Sequence, residues 1–199
     1  MAGETQNYHE TRDPYFVSAD FTAVTITTGQ SIIPVLRVPA TNLAFPAGYW
    51  LKPGRRWVVY LYGRMTTGAT PGNVTLEIRW QSGAPTDAGG TILATSGAVA
   101  FTGAKTSISW WMRFFVESRG DPSTFVPTAT PLFAMGMFQA DGVGALVTSP
   151  GNPIMIPASA PAAVNIDGTL AGTIRVDAKR SGSTTETIQV HDLIVNSLT

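Results

Sequence analysis

The chain has 199 residues, 13 basic and 13 acidic side chains, two histidines and no cysteine. So sparse and balanced a charge gives no basic stripe for nucleic acid, the lack of thiols favours synthesis in a reducing cytoplasm, and the longest apolar run, around 132–138, is too short to span a bilayer. Twenty glycines and fourteen prolines, with few Lys and Glu, are a strand-and-turn composition, and 199 residues suit one undivided all-β domain.

Residues 1–20 are polar, carry both signs of charge and have no period; Pro14 interrupts them and no apolar core of a signal peptide is present. They are expected to form an extended N-terminal arm, either a docking segment that engages through Tyr8, Tyr15 and Phe16 or a frayed tail, ahead of a single domain over 21–199. Strands are expected at 21–27 and 31–38, then at 56–66. In the last of these Trp57, Val59 and Leu61 share one face, but Val58, Tyr60 and Tyr62 make the other apolar too. A strand that is apolar on both faces is central between two layers or covered from outside its own domain.

The next strand, 73–81, alternates without error: Val74, Leu76, Ile78 and Trp80 form a core face, and Asn73, Thr75, Glu77 and Arg79 a wet one. Turn dipeptides Pro71-Gly72, Gly89-Gly90 and Pro150-Gly151 punctuate the chain, and further strands are expected at 90–94, 98–101, 107–117, 131–139, 144–148, 162–166, 170–179 and 186–195. Strand 107–117 repeats the two-faced pattern. Ile108, Trp110, Met112 and Phe114 face the core together with Ile174 and Val176, while Trp111 and Phe115 alternate with Arg113 on the other side. Pro153 to Ala163 is expected to be a connection in which Ile154 and Ile156 are buried. In the final strand Ile188 and Val190 set one phase and Leu193 and Val195 the opposite one, so a β-bulge is expected at His191-Asp192. These strands without long helices give an antiparallel β-sandwich, jelly-roll-like in its wiring.

Chemistry is hard to find. His9 and His191 are far apart, and His191 and Asp192, adjacent on a strand, point to opposite faces. No nucleophile elbow, phosphate loop or zinc motif occurs, and the Asp residues lack calcium-loop spacing. The expectation is a protein with no catalytic residues, metal or cofactor. Aromatics interleaved with Arg are instead what the centre of a protein–protein interface contains, which makes Val58, Tyr60, Tyr62, Trp111 and Phe115 candidate subunit-interface residues.

The run from Gly54 to Trp80, with its turn Thr66-Thr67-Gly68-Ala69-Thr70-Pro71, the segment Gly90 to Gly97 and the late stretch Pro161 to Asp167, resembles structural proteins encoded among the head genes of tailed bacteriophages and prophages. The resemblance covers about 45–195. It implies a virion protein with a jelly-roll-like domain, a capsid decoration (cement) protein made in the host cytoplasm that sits as a homotrimer on the capsid surface and braces the phage major capsid protein. The arm would then reach the capsid or a neighbouring subunit. A carbohydrate-binding jelly-roll module for host recognition is the alternative, separated by where Trp50, Trp80 and Trp111 lie. A virion-associated depolymerase would need two carboxylates facing each other in a cleft.

Overall fold

A computed structural model describes residues 15–18, 23–26, 30–31, 44–83, 89–121, 123–140, 153–181 and 186–198. Fourteen strands follow in chain order: β1 (Tyr15–Ser18), β2 (Val24–Thr25), β3 (Gln30–Ser31), β4 (Ala44–Phe45), β5 (Arg56–Thr66), β6 (Asn73–Ser82), β7 (Thr91–Thr95), β8 (Val99–Ala100), β9 (Ile108–Ser118), β10 (Thr130–Ala140), β11 (Ile154–Ile156), β12 (Val164–Ile166), β13 (Gly172–Arg180) and β14 (Thr187–Leu198). Among the described residues the helices are single 3₁₀ turns at Tyr49–Leu51 and Pro127–Ala129, and none is long and apolar enough to cross a membrane.

All pairings are antiparallel. The larger sheet runs β1-β14-β5-β9-β10-β11, with β2 also on β14 and β12 also on β10; the smaller runs β3-β13-β6-β7, with β4 on β13 and β8 on β6. β1 and β2 pair with opposite ends of β14, and β3 and β4 with opposite ends of β13, so each pair is one interrupted strand. Merged in this way and numbered along the chain, with β5, β6, β7, β9, β13 and β14 as the remaining six, the sheets read 1-8-3-6 and 2-7-4-5. That is jelly-roll wiring, two interlocked Greek keys. β10, β11 and β12 are an insertion that widens the larger sheet beyond β9.

The phases read from the sequence hold on the inner faces. Trp57, Val59, Leu61, Val74, Leu76, Ile78, Trp80, Trp110, Met112, Phe114, Ile174 and Val176 are buried between the sheets, while Ile108, at the start of β9, is half-buried and packs on the rim. At one end of the sandwich Phe45 packs its ring 4.6–4.9 Å from those of Tyr49, Trp50 and Trp57, and the Trp57 Nε1–H donates to the Tyr49 hydroxyl at 2.5 Å. At the other end Trp110 stacks on Phe138 at 5.6 Å.

The bulge is where the phase change placed it. Val190 pairs with Gly63 and Asp192 with Tyr62, so His191 is the extra residue, and Ile188, Val190, Leu193 and Val195 are all buried. The bulge also explains a glycine. A Cβ on Gly63 would lie 1.9 Å from the Gln189 carbonyl oxygen and 2.7 Å from the Trp110 ring, so no side chain fits opposite the bulged strand.

Three expectations are corrected. Residues 15–18 of the predicted arm are strand β1, an edge strand on β14, because the unpaired edge of β14 accepts a short apolar segment that alternation alone cannot reveal. The connection over 153–163 contains strand β11, in which Ile156 is buried and Ile154 half-buried. The wet face of β6 is largely dry: Glu77 and Arg79 are buried, joined by Arg175 and Asp177 of β13. The expected strand at 144–148 and most of that at 31–38 lie outside the described residues.

Candidate interaction face

β5, β9 and β10, eleven residues each, lie side by side in the larger sheet. Their inner rows fill the core. Their outer rows follow from the register. One row runs Asn196, Val58, Phe115, Met135; the next Ile194, Tyr60, Arg113, Met137, Met155; the next Asp192, Tyr62, Trp111, Gln139. Phe133 stands opposite Glu117, which stands opposite Arg56. The five residues singled out in the sequence, Val58, Tyr60, Tyr62, Trp111 and Phe115, thus share one face, extended by Phe133 and three methionines that the sequence did not mark. Leu132, Ala134 and Phe138 face the core, so β10, like β5 and β9, is apolar on both sides.

Three arginines lie on this face with their guanidinium planes over aromatic rings. Arg56 covers Phe115 at 4.8 Å, Arg113 covers Tyr60 at 5.3 Å and Arg119 covers Phe133 at 3.7 Å. The quadrupole of each ring attracts the cation, and the aliphatic stem shields apolar surface. Glu117 ties two of them down, ion-paired with Arg56 and 3.6 Å from Arg119. Phe133, under Arg119, and Val58 are only 8% exposed although both point away from the core. Val58 is therefore part of the foundation of the face and not of its contact surface, whereas Tyr62 is 42% exposed.

At the bulge end the face opens. Tyr62 and Trp111, cross-strand neighbours, border a shallow cleft of about 470 Å³ whose other lining residues are Gly63, Arg64, Ser109, Trp110 and His191. Trp80, as expected, and Trp50 are core residues, so of the three tryptophans whose positions were to separate the two readings Trp111 alone lies on the outer face. Of the predicted docking arm, Tyr15 and Phe16 lie in β1 opposite Val195 and Ile194, and Tyr8 lies outside the described residues.

The outer face of the smaller sheet carries a different arrangement. Arg175 reaches Asp177 at 2.8 Å and Gln81 at 2.5 Å, Arg79 reaches Glu77 at 2.6 Å and Asp177 at 3.4 Å, and Lys179 reaches Glu77 at 3.0 Å. Burial pushes the Asp177 carboxyl above its ordinary pKa, and the opposing pull of Arg175 and Arg79 does not cancel it. This cluster is internally paired and architectural in character. Asp121 and Asp167 accept from the backbone N–H and hydroxyl of Ser123 and Thr169 two residues on, so they hold turns; the backbone N–H of Ser123 and then its hydroxyl keep the Asp121 carboxyl low. No group of three or more His, Asp or Glu among the described residues is placed to hold a metal ion.

No protein family and no curated protein matches the chain. Among solved structures it is similar to the CBM2 module of an evolved Dit from Lactobacillus casei BL23 phage J-1, at 12% identity over 87% of this chain and 67% of that one, with a TM-score of 0.28.

Proposed function

We propose that this chain is a structural virion protein of a tailed bacteriophage, a head decoration subunit that joins its trimer partners through the outer face of its larger sheet. The observation that carries this reading is the second apolar side of β5, β9 and β10, crossed by rows of aromatics and methionines under a lid of arginines. A single domain has no use for such a face, since its core is already filled from the inner side. Four strands, β14, β5, β9 and β10, spaced about 4.8 Å and each at least eleven residues long, present about 19 by 36 Å, and the three residues of β11 extend one corner, for about 740 Å² in all. That is close to the area, about 800 Å², that each partner contributes to a stable interface. Enrichment in Tyr, Trp, Phe, Met and Arg is the composition of such interfaces. The sequence resemblance to phage head proteins gives the setting: a homotrimer on the capsid surface bracing the major capsid protein, with closed symmetry hiding the face without growing filaments.

Purified virions of the phage or prophage that encodes the chain, examined by mass spectrometry and cryo-microscopy, test this directly. The chain is expected in the particle, as threefold density on the head with the β5-β9-β10 face against protein. Its absence from virions, or its presence with that face turned to solvent, would overturn the proposal.

A further inference from the structure

The cleft at the bulge end differs in kind from the rest of the face. Rows further along are roofed by arginines, but among the described residues no arginine lies over Tyr62 or Trp111, which stand side by side, Tyr62 being the most exposed aromatic of the face. The cleft depends on two features already described. Gly63 contributes no side chain, and the bulge turns His191 toward the opening between β14 and β5. Around the aromatic pair stand groups that can bond hydroxyls: the Ser109 hydroxyl and, next to Tyr62 in the register, the Asp192 carboxylate. The lining cation with a permanent charge is Arg64. Its Nη1 donates to the Ser107 carbonyl and hydroxyl at 3.2 Å, which fixes the guanidinium and leaves Nη2 and Nε to donate elsewhere. Among the described residues no carboxylate forms an ion pair with Arg64.

We infer that this cleft is a binding site for a pyranose carrying a carboxylate, a uronic or sialic acid unit, stacked on Trp111 and Tyr62 with its carboxylate on Arg64. A flat ring system matches the apolar face of a pyranose, and about 470 Å³ accommodates one or two sugar units. Selection for an acid follows from Arg64, since a charge-assisted pair is worth more than the hydroxyl contact a neutral sugar makes in its place. The inference goes beyond the structural role proposed above and concerns the free subunit: protein seated over Tyr62 and Trp111 in an assembled particle would close the same cleft.

The test is titration of the full chain with D-galacturonate and D-galactose, which differ in the oxidation state of C6, and with N-acetylneuraminate, followed by tryptophan fluorescence and by amide chemical shifts. At least one acid sugar is expected to bind at least tenfold more tightly than galactose, with shifts centred on Tyr62, Trp111 and His191. Trp111→Ala and Tyr62→Ala should each weaken binding at least tenfold, and Arg64→Gln should erase the acid preference while leaving weak neutral binding. Arg64 is exposed, so that variant keeps the question answerable if Trp111→Ala melts early. No binding of any of the three sugars at 50-fold the protein concentration and up to roughly 20 mM, equal affinity for acid and neutral forms, or shifts elsewhere on the surface would overturn the inference.

Discussion

Replacing Gly63 by alanine adds one methyl group to a buried strand position, and the structure says where that methyl goes. It would stand 1.9 Å from the Gln189 carbonyl oxygen and 2.7 Å from Trp110. An ordinary contact is about 3.5 Å, so the strands must part by about 1.5 Å at the bulge or the β5–β14 ladder must break there. Two effects compete. Alanine stabilises a strand interior relative to glycine by about 0.5–1 kcal/mol, chiefly by restricting the unfolded chain. Overpacking costs about 1–3 kcal/mol, at the upper end here because a backbone carbonyl cannot rotate aside as a flexible side chain can. The net is a loss of about 2 kcal/mol, which for a domain of this size is a fall in Tm of about 4–8 °C. Thermal unfolding followed by far-UV circular dichroism measures it, with Ser109→Ala, an exposed position on the neighbouring strand, as a control that should move little. An unchanged or raised Tm for Gly63→Ala would refute the close approach of Gln189 and the bulge geometry that produces it.

Deleting His191 should leave a cooperatively folding protein, since Val190 and Asp192 already pair with Gly63 and Tyr62 and the inward phase of Leu193 and Val195 is kept; inserting one alanine between Leu193 and Ile194 turns Val195 outward and drives the larger Ile194 into its place, an overpacking of about 1–3 kcal/mol, and the order of the two melting temperatures checks the assignment. Asp177→Ala should cost about 3–5 kcal/mol by stranding the buried Arg175 guanidinium, read by urea denaturation. Because burial raises the Asp177 pKa from 3.8, its contribution to stability is fully present below the unfolded value and is lost as pH rises through the folded one; wild type should therefore lose stability relative to Asp177→Asn across that window, and parallel pH curves would contradict it. If the outer face joins the proposed trimer, Phe115→Asp should give monomers in mass photometry where the wild type gives trimers, while shifting Tm by no more than a few degrees.

Period-two patterning was enough to place β5, β6, β9, β13 and β14 to within a few residues and to set their inward phases, because a strand buried on one side must alternate. The bulge was legible for the same reason: one extra residue inverts the phase, and Val190 and Leu193 record the inversion. The grouping of Val58, Tyr60, Tyr62, Trp111 and Phe115 on one face was also legible in part, as two strands each apolar on both sides. What joined them was the pairing of β5 with β9 across a separation of some fifty residues, which no local pattern encodes.

The tertiary structure alone decided the rest. Alternation says which residues share a face but not what lies above that face, so the sequence could not tell that Glu77 and Arg79 would be buried beside Arg175 and Asp177, nor that arginines would roof Phe115, Tyr60 and Phe133. β10 was opaque for a related reason. Phe133, Met135 and Met137 differ little in hydrophobicity from Leu132, Ala134 and Phe138, so only the neighbouring strand fixes which set points inward. The jelly-roll order, with β14 between β1 and β5 and β13 between β3 and β6, rests wholly on pairings between distant segments. Local sequence fixes the phase of a strand; its neighbours are chosen by the free energy of closing the whole sandwich.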